Sequence, residues 1–365
     1  RNTVSLNLNP SFFKDQLRVT FNANTTLERN RFAPGEEGNA ITFDPSHPVY
    51  DEASPFGGFF QYYDLNEDDV LDINDLRPDA PFNPVANLLQ RTDISDVNRF
   101  YGNVKVDYDL PFIPNVTATV NLGIDEQNAD GSVTIDRDNP VSQPDGSLVG
   151  SHSTYANYQQ NKLLDAYLAY KRSFGKIDFD ATGGYSYQIF RSNQYVSGEL
   201  LNDLPSSEPV YSRQTDLVLI GFFGRTNFNL NKKYLLTVSY RRDGTSRFSE
   251  QNRWGNFPAA ALGWKINEDF FPKSKTISGL KLRAGWGITG QQDIGRDYAD
   301  LYLARYARGL PASQYQFGNE IIRIGIPQFR NEELKWEETM TYNVGLDYGL
   351  FEDRFTGSIE FFYKE

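Results

Sequence analysis

Apolar and polar residues alternate along most of the chain. Leu17, Val19 and Phe21 are interleaved with Arg18, Thr20, Asn22 and Asn24, so an extended segment presents one apolar and one polar face. The pattern recurs in Val104–Val106–Tyr108–Leu110, in Val116–Ala118–Val120–Leu122–Ile124 and in Ile177–Phe179–Ala181 with Tyr185. It returns in Tyr234–Leu236–Val238–Tyr240, in Leu280–Leu282–Ala284–Trp286–Ile288, in Tyr342–Val344–Leu346–Tyr348 and in Phe355 with Ile359–Phe361–Tyr363. About a dozen strands are predicted, several near ten residues long.

The connections carry more information than the strands. Short links around Ser11 (SFFKDQ), Phe112 (PFIPN), Phe174 (FGK), Asn231 (NKK) and Leu350 (LFEDR) alternate with long polar ones at 30–96, 128–154, 191–213, 243–255 and 290–335. The NEDFFPKSKTISG link after strand 256–266 departs from the short class. Short turns at one end and long loops at the other predict an all-β, antiparallel up-and-down transmembrane barrel. A sandwich shows the same alternation but does not sort its links by end. Phe12, Phe13, Tyr108, Phe112, Phe174, Tyr234, Phe270, Phe271, Phe351 and Phe355 gather beside the short turns, where amphipathic rings suit a headgroup layer; rings packed against turns in a soluble core are the alternative.

Composition narrows the chemistry. The 365 residues include 27 Phe, 22 Tyr, 4 Trp and 29 Gly, with one Met and no Cys, which favours strands and turns over helix bundles. Mean hydropathy is −0.56 and the longest apolar run, Leu217 to Phe223, falls far short of the roughly 18 residues a membrane-spanning helix needs. Without Cys there are no disulfides, thiolate nucleophiles or thiolate metal sites, and His47 and His152 are the only histidines. No catalytic constellation separates from scattered polarity, and no enzyme activity is expected. The net charge of −12 disfavours nucleic acid as a partner. Residues 30–96 hold 14 acidic against 3 basic side chains, a net of −11, so the acidity belongs to one long loop. The opening RNTVSLNLNPSFF has no basic segment followed by an apolar core and cleavage site, so the chain is read as mature or as a fragment.

Three motifs stand out. Asp64, Asn66, Asp68, Val70, Asp72 and Asp75 occupy positions 1, 3, 5, 7, 9 and 12 of a calcium loop, with Asp69 where Gly is usual and Asp75 where Glu is usual. Bound Ca2+ and an acidic, solvated loop both fit; no other cofactor is expected. Phe59, Phe60, Tyr62 and Tyr63 lie in an aromatic run, PFGGFFQYY, that suits substrate or lid contact, or packing of the loop onto the rim. Arg241, Arg242 and Arg247 surround an Asp-Gly pair, read as a solvated strand end rather than an anion site.

Several strings resemble the SusC/RagA family of TonB-dependent outer-membrane importers. They are SLNLNPSFF with QLRVTFNAN and RNRF (Ser5 to Phe32), ITFDPSHPVYD (Ile41 to Asp51), NPVANLLQ (Asn83 to Gln90) and VNRFYGNVKVDYDL (Val97 to Leu110). SYRRDGTSRFSEQNRWGNFPAAALGWKINEDFF (Ser239 to Phe271), LKLRAGWGITGQQ (Leu280 to Gln292) and LKWEETMTYNVGLDYGLFEDRFTGSIEFFYKE (Leu334 to Glu365) continue the series nearly to the end. The resemblance implies that residues 1–365 are part of a barrel expected to have 22 strands, with plug and N-terminal domains outside the chain. It implies TonB-energised import of oligosaccharides or peptides through the outer membrane, under a SusD-like lipoprotein lid. A siderophore or vitamin receptor and a secreted adhesive β protein are the alternatives.

Overall fold

The computed structural model describes residues 1–65, 70–77, 79–141, 150–200, 209–295, 301–308, 314–323 and 325–365. The chain begins with β1 (Asn2–Leu8), β2 (Ser11–Phe12) and β3 (Leu17–Phe32), followed in the first long link by α1 (Glu37–Thr42) and α2 (Pro84–Gln90). The tallest strands come next: β4 (Arg91–Asp109), β5 (Val116–Ile135), β6 (Ser151–Phe174), β7 (Ile177–Leu200) and β8 (Pro209–Leu230). β9 (Tyr234–Thr245), β10 (Trp254–Lys265), a short α3 (Asn267–Phe270) and β11 (Ile277–Gln291) are lower. Small strands β12 (Tyr306–Arg308), β13 (Gln314–Phe317), β14 (Glu320–Arg323) and β15 (Gly325–Pro327) decorate the last long link before β16 (Glu337–Leu350) and β17 (Phe355–Lys364).

The long strands form one antiparallel sheet in the order β1-β3-β4-β5-β6-β7-β8-β9-β10-β11-β16-β17, each hydrogen-bonded to its sequence neighbour. β2 continues β1 against β3: Leu8 faces Phe21 and Ser11 faces Arg18 in the same register. The break falls at Asn9-Pro10, where proline has no N–H to donate, although the Pro10 carbonyl still accepts from Val19 N at 2.9 Å. The curved wall is not closed; β1 and β17 are its edges.

Alternation gives the wall its two faces. On β5, Val116, Ala118, Val120, Leu122 and Ile124 point outward across nine residues, about 27 Å of strand, which a tilt near 40° shortens to roughly 20 Å. That approaches the apolar band of roughly 25 Å expected of an outer-membrane barrel. Leu122 is 52% exposed and Phe222 50%, as lipid-facing side chains are before lipid is counted.

Strand height is where the sequence reading falls short. β6 and β7 each run 24 residues and pair from Phe174–Ile177 to Ser151–Leu200, about 80 Å of hairpin. Much of the links expected at 128–154 and 191–213 is therefore ladder, at 128–135, 151–154, 191–200 and 209–213, while 142–149 and 201–208 lie outside the described residues. Above the apolar band both faces meet water, so period-2 alternation vanishes while backbone pairing persists. β9 and β10 span only 12 residues each, which leaves a low stretch of wall beside a tall one.

The short links lie together at one end. Phe13, Lys14 and Asp15, and again Phe351, Glu352 and Asp353, adopt left-handed φ between 55° and 66°. In each turn the Asp anchors to the adjoining wall: Ser11 Oγ donates to Asp15 at 2.5 Å and Ser278 Oγ to Asp353 at 2.6 Å. Phe13, Phe112, Phe270 and Phe355 are exposed around this end, in the girdle position predicted for them.

A charge placed on the lipid face costs more than one on the opposite face. Leu122→Arg should destabilise the barrel in lipid vesicles by about 2–4 kcal/mol and Asn121→Arg by much less. Urea unfolding followed by heat-dependent gel mobility checks this, and equal effects would contradict the facing.

Candidate functional site

The concave face of the wall is polar, and many of its charges are paired with one another within or across strands. Arg18 on β3 grips Asp109 on β4 at 2.6 and 3.0 Å, and Thr117 on β5 donates to the same carboxylate at 2.6 Å. One step up, Lys105 lies 3.0 Å from Asp107, which also accepts from Thr119 at 2.6 Å. Arg283 on β11 makes a paired contact with Asp347 on β16, both bonds 2.9 Å. Such pairs fix side-chain directions and cancel the local field more than they stabilise the fold, because they remain hydrated.

Between these pairs the wall is lined by amides. Asn22 donates to Asn103 at 2.9 Å and Asn103 to Asn121 at 3.0 Å, a ladder across β3, β4 and β5. The ladder floors a concavity of about 530 Å3 that also takes in Asn24, Asn161, Gln188, Tyr101 and Phe190, with Lys162 and an Asp125 held by Arg99 at 2.7 Å on its border. A larger concavity of about 670 Å3 sits at the short-turn end, between β6 and β9. Amides offer donor and acceptor together, and half-exposed Tyr101 and Phe190 offer ring faces, so the upper concavity suits a neutral, polyhydroxylated ligand. Sequence reading passed over this patch; the signal was asparagine recurring on the polar parity of successive strands.

The acidic link at 33–90 is a folded rim module with its own core. Phe56 and Ala86 are fully buried in it, and Asn83, Gln61, Asn87 and Gln90 are nearly so. Asn83 holds it together. Its Oδ1 caps α2 by accepting from Val85 N and Ala86 N at 3.0 and 3.2 Å, with Pro84 next in the helix. Its Nδ2 donates to the Val49 and Phe60 carbonyls at 2.8 and 3.0 Å, and its N–H donates to Gln61 Oε1. Gln90 O accepts from Asp136 N at 2.9 Å, which seats the module on the β5–β6 hairpin end.

The aromatic run splits between two roles. Phe59 is 8% exposed and packs against Tyr50 with ring centroids 5.3 Å apart and planes tilted by 38°, so it is core in this arrangement and offers no free ring face. Phe60 and Tyr62 form a cluster with Phe43 and His47, with centroids 5.0 to 6.3 Å apart, and Tyr62 Oη accepts from Asp44 N. Tyr63 remains exposed.

Of the calcium-loop residues, Asn66 and Asp68 lie outside the described residues. The loop ends do meet: Asp64 N donates to Asp75 O at 2.8 Å, and Tyr63 bridges Leu76. The carboxylates have protein partners here. Asp64 accepts from Arg77 Nε at 2.8 Å, whose pKa it raises, Asp72 accepts from Asn74 N at 2.7 Å, and Asp75 accepts from Asp72 N at 2.9 Å. Val70 is exposed in the same loop. Among the described residues no three acidic or histidine groups converge on one metal position.

The arginine cluster differs from the solvated strand end expected. Arg241 pairs with Asp243 at 2.9 Å and Arg242 lies 5.2 Å over the Trp254 ring, whereas Arg247 is 4% exposed. Arg247 donates to Gly295 O at 2.7 Å and to Asp293 at 3.0 Å, and desolvation pulls its pKa below the ordinary value. Beside it, Phe248 is fully buried against Trp336, which also meets Phe257 and donates its indole N–H to Arg253 O. The cluster ties the β9–β10 link to the last long link.

A family model described as TonB dependent receptor-like, beta-barrel, matches residues 5–365. The chain is 38% identical over its whole length to the TonB-dependent receptor SusC of Bacteroides thetaiotaomicron, of which it covers 37%. It is 30% identical to the TonB-dependent receptor P3 of Formosa agariphila, over 81% of this chain and 30% of that one. A solved structure of the RagAB peptide transporter superposes with a TM-score of 0.75 at 20% identity, over 99% of this chain and 39% of that chain. The chain thus spans less than two fifths of the length of these relatives.

Asn83→Ala removes the helix cap and leaves the Val49 and Phe60 carbonyls without their donor. The rim module should lose roughly 2–4 kcal/mol while the barrel stays folded. Hydrogen exchange should speed up in segment 49–60 and α2 but not in β5; unchanged exchange there would refute the role given to Asn83.

Proposed function

The chain belongs to the TonB-dependent receptor β-barrel family of the outer membrane, and we propose that it forms part of the wall of an importer for neutral oligosaccharides. The observation that supports a glycan cargo is the amide-lined concavity of the inner wall, with Tyr101 and Phe190 beside it and its one lining carboxylate, Asp125, held by Arg99. Paired hydroxyls match an amide's donor and acceptor, and the apolar face of a sugar ring matches an aromatic ring. Charged peptides gain less beside groups that already hold one another, as Arg18 holds Asp109 and Arg283 holds Asp347. In this reading a SusD-like lipoprotein closes over the rim, meeting the 33–90 module and the 292–336 link. TonB supplies the energy through parts of the protein outside this chain. The chain's role is passage rather than catalysis.

Asn103→Leu combined with Asn121→Leu in the full-length transporter should weaken binding of neutral oligosaccharides at least tenfold. Calorimetry against matched panels of oligosaccharides and peptides decides the class. Saturable binding of peptides alone would sink the glycan assignment.

We also propose that the loop from Asp64 to Asp75 takes up Ca2+, with Asp64, Asn66, Asp68, Asp72 and Asp75 as side-chain ligands and Val70 through its carbonyl. The backbone closure between Asp64 and Asp75 supports this, since a calcium loop needs its ends together. Binding would require Asp64 to exchange Arg77 for the ion. Calcium titration of the full-length protein should then saturate below millimolar and raise the melting temperature, and Asp64→Ala should abolish both effects; a flat titration would remove the site.

A further inference from the structure

The short-turn end carries a feature that import does not use. Three successive turns, at 171–178, 231–233 and 265–276, hold eight basic against three acidic residues, in a chain whose net charge is −12. Backbone hydrogen bonds join them into one ledge: Asn231 N donates to Lys176 O at 2.7 Å, and Lys265 N to Lys233 O at 3.0 Å. Lys233 and Asp269 form an internal brace at 2.8 Å, with Asp269 also accepting from Tyr234 Oη and Trp264 Nε1 at 2.7 and 2.9 Å. Among the described residues Arg172, Lys176, Lys232, Lys273 and Lys275 are exposed and form no ion pair.

The rings beside these cations place them at a definite depth. Arg172 lies on the lipid-facing parity of β6, 4.8 Å over Phe174, and Phe270 and Phe271 are exposed next to Lys273. Tyr234 and Trp264 stack at 6.2 Å on the same rim. Rings of this kind sit at the membrane–water boundary, so the cations next to them lie at the level of lipid phosphates. Unpaired basic groups there attract anionic headgroups, and salt weakens the attraction.

We propose that this ledge binds anionic glycerophospholipid headgroups of the periplasmic leaflet. Lys176, Lys232, Lys273 and Lys275 supply charge, Arg172 supplies a guanidinium held by Phe174, and Phe270 and Phe271 lie along the acyl chains. The turns are stitched together in advance, so little ordering is needed when lipid arrives.

The test uses the full-length transporter in phosphatidylcholine vesicles containing spin-labelled phosphatidylglycerol or spin-labelled phosphatidylcholine. The motionally restricted fraction should show at least a threefold preference for phosphatidylglycerol at 20 mM NaCl, falling toward unity at 0.5 M. Lys176→Gln, Lys232→Gln, Lys273→Gln and Lys275→Gln together should abolish the preference, whereas Lys14→Gln, on a turn outside the ledge, should leave it intact. Heat-dependent gel mobility confirms that each variant is folded. A wild-type protein without preference, or a fourfold variant that keeps it, overturns the proposal. So does loss of the preference in 10 mM inorganic phosphate at matched ionic strength, which would make the ligand a soluble anion.

Discussion

Across hydrocarbon, every backbone N–H and C=O must find its partner on a neighbouring strand, because no water is present to supply one. The rest of the architecture depends on that constraint. It explains why each long strand pairs with its sequence neighbour without crossover, and why the ladder runs unbroken from β3 to β11 and on to β16. It also gives meaning to the open edges. β1 and β17 each leave one row of backbone groups without a neighbour, which a membrane tolerates only when further strands complete the ring. The wall is thus a sector of a larger barrel, in agreement with the greater length of its relatives.

The same pairing divides labour between side chains without further instruction. Once register is fixed, one parity meets lipid and the other meets the interior, so Val120 and Asn121 serve opposite solvents while adjacent in sequence. On the interior face charges are placed in pairs, as in Arg18 with Asp109 and Arg283 with Asp347, and amides fill the positions between. Where the wall is built this way it offers hydrogen bonds from amides beside charges that are already paired. Cargo that is polar and uncharged gains most from it.

How far the sequence showed this depended on whether a residue's two faces met different solvents. Inside the membrane they do, and Val116 to Ile124 reads as a strand at sight. Above the membrane they do not, so residues 128–135 of β5, 151–154 of β6 and 191–200 of β7 resembled loops although they are paired in the ladder. The rim module was hidden for a different reason. Its core is assembled from Asn83, Gln61, Asn87 and Gln90 around Phe56 and Ala86, a set that hydropathy reads as surface. NPVANLLQ carries Asn before Pro, a helix-cap signal that the alternation of apolar and polar residues does not use, and only the structure shows the same Asn83 also holding Val49 and Phe60. For Phe59 the sequence left contact and packing both open, and for Arg247 it suggested a solvated strand end; burial was decided in each case by partners distant in sequence or on another link, Tyr50 and Asp293.

Charge shows the same dependence on place. A net of −12 suggests an acidic protein, yet residues 30–96 account for −11 of it, and the three basic turns lie at the opposite end of the wall. Between the two ends the interior charges are largely paired. The barrel is therefore an axial arrangement, acidic where it meets the outside and basic where it meets the periplasmic leaflet, with a balanced passage between. In 0.15 M salt these regions, separated by the height of a membrane, do not sense each other, since screening extends only about 8 Å. Each end answers to its own surroundings: the acidic rim to cations or a lid, the basic ledge to phosphate, and neither to the isoelectric point of the whole.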